Sequence, residues 1–132
     1  SITTSADTSR DVRADQAICL RNLDGVQLRD CSFDWQPPFS SRWAQTLLAD
    51  TVQNLYVDHL RAASIPDSEL PVLNFKAVND ARIHQSIAAP GTATWLQVDK
   101  SSQKIQILNS MVDSKSISPQ TAVNKQVFLQ NR

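Results

Sequence analysis

From residue 17 to 33 the chain reads AICLRNLDGVQLRDCSF, with apolar residues at Ile18, Leu20, Leu23, Val26, Leu28, Cys31 and Phe33. The dominant step between them is two residues, interrupted by steps of three after Leu20, Leu23 and Leu28. A helix needs apolar residues returning at three- and four-residue intervals, whereas a half-buried strand alternates. The pattern therefore predicts short strands joined by tight corners.

The same pattern returns three times. AICLRNLDGVQLRDCSF aligns with TLLADTVQNLYVDHLRA (46–62), VLNFKAVNDARIHQSIA (72–88) and WLQVDKSSQKIQILNSMV (95–112), the last with one extra residue. The second position holds Ile18, Leu47, Leu73 and Leu96, and the fourth holds Leu20, Ala49, Phe75 and Val98. Beyond the first corner, the tenth holds Val26, Leu55, Ala81 and Ile105, and the twelfth Leu28, Val57, Ile83 and Ile107. The units start 29, 26 and 23 residues apart, inside the range of solenoid repeats. Length varies in DWQPPFSSRWAQ (34–45), AASIPDSELP (62–71) and AAPGTA (88–93), which carry five of the six prolines.

Three short strands, two brief corners and one variable loop make the coil of a right-handed parallel β-helix, in which equivalent residues of successive coils stack about 4.8 Å apart. The first corner is predicted at Asp24-Gly25, Gln53-Asn54 and Asn79-Asp80. At the second, a left-handed residue is expected within Arg29-Asp30, Asp58-His59, His84-Gln85 and Leu108-Asn109, since Asp and Asn tolerate that conformation. A leucine-rich repeat is the main rival solenoid, but its Leu-x-x-Leu-x-Leu-x-x-Asn signature is absent. An immunoglobulin-like sandwich explains alternation but not agreement between units. The expected organisation is one all-β domain over 1–132: an N-terminal segment (1–15), about four coils (16–112) and a tail (113–132). Val123, Val127, Phe128 and Leu129 of the tail are expected to cover one end or lie along a wall. The polar SADTSRDVRADQ offers no apolar cap at the other, so Ile18, Leu20, Leu28 and Phe33 are expected at an open edge.

Thirteen basic residues balance thirteen acidic ones, so no net field favours nucleic acid or an anionic membrane surface. No apolar run is long enough for a transmembrane helix. The polar start without Met suggests a mature, trimmed or excised chain. By strand alternation Cys19 points outward and Cys31 inward, so two free thiols are expected.

AICLRNLDGVQLRDCSF, its Trp- and Pro-containing loop and the coils after it resemble the C-terminal coils of bacterial pectin-lyase-like β-helix proteins, especially polygalacturonase-type members of glycoside hydrolase family 28. The resemblance covers roughly residues 16–112 and is one of coil pattern. It implies a secreted or periplasmic carbohydrate-active parent and, for activity, an Asn-x-Asp, an Asp-Asp pair, a Gly-His-Gly and an Arg-x-Lys on first strands. No Asp-Asp occurs here, and Gly25 and Gly91 are the only glycines. Asn22-Leu23-Asp24 has the first motif's letters but falls at a corner, and Arg82-Ile83-His84 falls on a second strand and ends in His.

The outward fifth position of the first strands holds Arg21, Asp50, Lys76 and Asp99. Asp50 and Asp99, two coils apart, stand about 9.6 Å from one another by strand spacing. Inverting glycosidases hold their carboxyl pair roughly 6.5–9.5 Å apart, so the two are low-weight catalytic candidates. Alternating charge predicts instead a column of cross-strand ion pairs, with both carboxylates kept acidic. His59, His84 and Asp58 gather near one corner but lack the spacing of a metal site, and no metal or other cofactor is expected. Trp35, Phe39 and Trp43 fall in the first long loop, and Trp95 opens the fourth coil. Trp35 and Trp43, with Arg21 and Lys76 and further basic residues Arg42, Arg61 and Arg82, are the candidates for binding sugars and uronate carboxylates. The competing expectation is that both tryptophans clamp the Pro-Pro loop to the helix wall. The sequence thus favours a non-catalytic segment completing or capping a larger polygalacturonase-like protein, partnered by preceding coils or a second copy at the N-terminal edge. A pectin-binding module is the alternative, and a hydrolase using Asp50 and Asp99 the third.

Overall fold

The computed structural model describes residues 2–5, 16–36, 45–64 and 69–131. Among these residues eleven strands follow one another: β1 (Ile2–Ser5), β2 (Gln16–Arg29), β3 (Ser32–Gln36), β4 (Gln45–Asp58), β5 (Arg61–Ala62), β6 (Leu73–His84), β7 (Ile87–Ala88), β8 (Leu96–Val98), β9 (Gln103–Ser110), β10 (Ile117–Ser118) and β11 (Val127–Asn131). Two 3-10 turns, Ser114–Ser116 and Gln120–Ala122, interrupt the last stretch. Every strand pairing among the described residues is parallel, and the chain forms a β-solenoid of about four turns.

The repeat alignment is the register. Leu47 pairs with Ile18 and Leu73, and Leu73 with Leu96; Phe75 pairs with Ala49 and Val98. Beyond the first corner, Val26, Leu55, Ala81 and Ile105 form one column, and Leu28, Val57, Ile83 and Ile107 the next. From the second coil on, these inward residues are buried. Removing each large one from water contributes roughly 1.5–3 kcal/mol, and because columns recur in every layer the core is continuous along the axis.

β2, β4 and β6 keep their pairing through the first corner by turning on two left-handed residues each: Asn22 and Gly25, Thr51 and Asn54, Ala77 and Asp80. The second of each pair is the corner residue expected from sequence. The first is an addition, and at Thr51, with its branched Cβ, that backbone is costly. Between the two sits a further core column, Leu23, Val52 and Val78, in register. The second corner turns at Asp30, His59, Gln85 and Asn109, one in each expected pair. Inside it a serine ladder satisfies the backbone: Ser86 Oγ accepts from the Leu60 N–H and donates to the His84 carbonyl, and Ser110 Oγ accepts from the Ser86 N–H and donates to Leu108.

Both flanking segments join the solenoid. β1 pairs with β3 and heads the third-strand sheet β1-β3-β5-β7, so residues 2–5 form a third strand one layer before the first coil. In the tail, Ile117 pairs with Leu96, Val127 with Ile105 and Leu129 with Ile107, adding a shortened fifth layer. That layer is closed: Ile117, Ala122 and Val127 are buried although no further strand among the described residues stacks on them. Gln126 Nε2 donates to the carbonyls of Asp99 and Ser102, and Gln120 Nε2 to those of Ser114 and Ile117, satisfying acceptors that the missing next layer leaves over. At the opposite end Ile18, Leu20, Val26 and Leu28 are only partly buried and Leu23 is 41% exposed, whereas Phe33, expected at the same open edge, is buried because β1 pairs alongside it. Cys19 is exposed, Cys31 packs partly against the core, and both are free thiols.

Candidate functional site

On the outer face of the first strands Arg21 stands beside Asp50 and Asp50 beside Lys76 in register. The column does not form the ion pairs that its alternating charge suggests: among the described residues, the acid–base contact within 4.0 Å is that of the His59 imidazole with Asp30 at the second corner. Asp50 accepts instead from its neighbour, the Thr51 hydroxyl, at 3.0 Å.

Asp99 has left the column altogether. Its Oδ1 accepts from the Ala77 N–H at 3.1 Å, the Ser102 N–H at 3.0 Å and the Ser102 hydroxyl at 2.8 Å, while Oδ2 accepts from the Ser101 hydroxyl at 2.8 Å. Ser102 in turn accepts from the Val78 N–H, so it fills the place that Val78 and Val52 hold in earlier coils. Partial burial raises the Asp99 pKa, but the donors from Ser101, Ser102 and Ala77 outweigh it and hold the carboxyl below its ordinary value. The cause is this corner and not Lys76. A carboxylate committed to four donors is a structural cap and a poor proton donor.

The aromatic candidates separate as well. Trp35 lies on β3 rather than in a loop, is 5% exposed, and donates its indole N–H to the Thr46 hydroxyl at 3.1 Å. Thr46 passes the bond on to the Ala63 carbonyl. A ring only 5% exposed offers no platform for a sugar, and the Pro37-Pro38 loop that it was expected to clamp lies outside the described residues. Trp43, Phe39 and Arg42 lie outside the described residues. Trp95 is buried in the core. Arg21, Lys76 and Arg61 are exposed.

His59 and His84 diverge at the corner. Register sets His84 beside Asp58, and the backbone of His59 bonds the His84 carbonyl. His59 Nδ1 lies 2.8 Å from Asp30 Oδ1, whereas the His84 ring rests 5.8 Å from that of Tyr56. Among the described residues no group of three His, Cys, Asp or Glu side chains could hold a metal ion.

The described residues also assemble a polar groove on the outer face of the second strands. Gln27, Tyr56 and Arg82 form a register column continued by Gln106 and Phe128 on β9 and β11. Tyr56 is held between layers: the Arg29 guanidinium lies over its ring, 5.6 Å from the centre, and His84 is tilted against it at 42°. Between Tyr56 and the first corner a concavity of about 380 Å³ opens, lined by Gln27, Arg29, Asn54, Asp80 and Arg82 as well as the tyrosine. The Asn54 amide is fixed by donating to Asp24 Oδ1 at 2.8 Å. The repeat alignment already stacks Gln27, Tyr56 and Arg82. It does not reveal that Arg29, two residues along in the previous coil, crosses onto the tyrosine ring.

No family model, curated protein or solved structure matches this chain.

Proposed function

We propose that this chain is a non-catalytic section of a longer β-helix protein, closing it at the C-terminal end, and that the parent is carbohydrate-active and secreted. One observation carries the structural part: the two ends of the solenoid differ. The last layer buries Ile117, Ala122 and Val127 under its own turns, while the first leaves Leu20, Leu23, Val26 and Leu28 partly open along β2, the terminal strand of its sheet. An open parallel edge over an apolar column is a template for another strand in the same register. β1 supports the same reading, because it stands where the third strand of a layer before the first coil would lie. The carbohydrate-active parent is supported by the resemblance of the coils to polygalacturonase-type proteins, and the non-catalytic role by the corner commitment of Asp99.

The test begins with the reading frame upstream of Ser1. Coils whose apolar positions continue the columns of Ile18, Leu20, Val26 and Leu28 are expected, and a frame without any such coil overturns the proposal. Its physical counterpart is Leu23→Lys, compared by urea unfolding in the chain alone and joined to those coils. Alone, the change is expected to move stability by no more than about 0.5 kcal/mol, as for an exposed position. Under a further layer it leaves a buried charge and costs several kcal/mol. Equal effects in both contexts refute the stacking.

A further inference from the structure

We propose that the open edge of β2 takes the stretch immediately upstream of Ser1 in one fixed register, and that the Cys31 thiol receives a backbone N–H from it. This rests on the reading that further coils precede the chain, and it names the partner of the open end by position and by chemistry.

Three observations carry it. First, the second and third strands advance together at every step of the solenoid. Leu28 pairs with Val57 and Ser32 with Arg61, 29 residues on; Val57 pairs with Ile83 and Arg61 with Ile87, 26 on; Ile83 pairs with Ile107 and Ile87 with Met111, 24 on. The second corner therefore has the same length in each coil. β1 meets β3 at Ile2 and Phe33, 31 residues apart. The same advance sets the first position upstream of Ser1 in the column of Cys31, and the second in the column of the left-handed residues Asp30, His59, Gln85 and Asn109. The fourth, sixth and ninth then lie over Leu28, Val26 and Leu23.

Second, Cys31 is a half-built rung of the serine ladder. Ser86 and Ser110 each donate to the carbonyl two residues back, His84 and Leu108, and each accepts an N–H from the coil before, Leu60 and Ser86. The same two carbonyls accept the corner N–H of the coil before, from His59 at 2.9 Å and Gln85 at 3.2 Å. Cys31 repeats the first half, its thiol donating to the Arg29 carbonyl at 3.5 Å. Among the described residues no N–H arrives at Cys31 Sγ and no corner N–H at the Arg29 carbonyl. Two acceptors facing one empty layer are matched by two backbone N–H groups of a parallel strand end. Third, the column is shut wherever a coil precedes it. Leu60 is 1% exposed and Ser86 0%, whereas Cys31 is only partly buried.

The experiment is iodoacetamide labelling of Cys19→Ser, in which Cys31 is the remaining thiol. Cys19 is exposed, so the unfolding midpoint of this variant should match the parent. Labelling is timed by mass for the chain alone, for the chain extended by its own upstream coils, and for both in concentrated urea. In the chain alone Cys31 is expected to react within about tenfold of its rate in urea, as an accessible thiol does. Extension is expected to slow it at least about a hundredfold further, because reaction then waits for local opening. The upstream reading frame is the second readout: apolar residues are expected at the fourth, sixth and ninth positions before Ser1, and Asn, Asp, His, Gln or Gly at the second. A frame without coils overturns the closing role and this proposal together. Coils that carry their apolar columns at other offsets, or that leave Cys31 labelling unchanged, overturn this proposal alone. Labelling that slows in the chain alone as its concentration rises also overturns it, since the edge then takes a second copy.

Discussion

The two ends of this solenoid are built from similar apolar residues and reach opposite states. At the C-terminal end the chain spends short 3-10 turns and two glutamine side chains on closing the last layer, and Ile117, Ala122 and Val127 are shut away from water. At the N-terminal end the equivalent columns stop at Ile18, Leu20, Val26 and Leu28, which remain partly open. In a repeat protein stability comes from each unit and from its interface with the next, so an end is a layer with one interface missing. Composition alone does not decide whether an end is a surface or a seam. What decides it is whether some side chain takes over the hydrogen bonds and covers the apolar columns of the absent layer.

The sharpest way to break that comparison is to truncate one column at its middle and at its open end. Phe75 is fully buried between Ala49 and Val98, and Leu20 heads the same column. Phe75→Ala is expected to cost about 3–5 kcal/mol, transfer and cavity together. Leu20→Ala is expected to cost less than about 2 kcal/mol, because much of the lost surface was already wet. Urea unfolding followed by tryptophan fluorescence reads both. If Leu20→Ala matched Phe75→Ala, the N-terminal end would be as closed as the C-terminal one.

A smaller effect sharpens the closed side. Gln126→Ala removes both bonds from Nε2 to the Asp99 and Ser102 carbonyls, leaving two acceptors of the fourth coil without that donor. The expected loss is about 1–3 kcal/mol, as for unsatisfied groups near a core. Amide exchange is the discriminating measurement: protection should fall in β8, β9 and β11 while β2 and β4 keep theirs, since each layer touches only its neighbours. Uniform loss across all coils would refute a local cap.

These features were not equally legible in the chain. The columns could be read because inward positions recur at the same offsets in four units, and stacking converts that agreement directly into register. Pro37-Pro38 follow Trp35 so closely that the stretch reads as a loop, although Phe33 and Trp35 already alternate as strand residues do. The fifth layer is hard to read from the chain, since only Ile117, Val127 and Leu129 continue the inward apolar columns, while the stretch between Ser118 and Val127 turns rather than extends. The charge column failed for a different reason. Alignment places Asp99 with Asp50, but the fourth unit has one extra residue between Val98 and Ile105, and that residue gives the corner room to fold Ser101 and Ser102 back onto the carboxylate. Position in a repeat sets where a side chain starts; local donors set where a short polar one ends.

Asp99 supplies the smallest and most specific test, because its corner underlies the closed end through Gln126. Its pKa is lowered in the folded state, chiefly by the Ser101 and Ser102 hydroxyls and the Ala77 N–H acting against burial. A carboxyl more acidic folded than unfolded stabilises the fold fully above its unfolded pKa, near 3.9 for Asp. The contribution fades as pH falls from there through the folded value, because the unfolded chain takes up the proton first. Asp99→Asn cannot ionise, so it lacks this contribution at every pH. The stability gap between the parent chain and Asp99→Asn is therefore expected to be flat from pH 7 to about 5 and to narrow below about 4. The carboxylate is partly open to solvent, so screening keeps the gap below the loss expected for Gln126→Ala. Urea midpoints of both proteins from pH 7 to 3 measure it. A gap unchanged at pH 3 would mean that Asp99 serves the corner by shape rather than charge, and the closed end would then owe nothing to its ionisation.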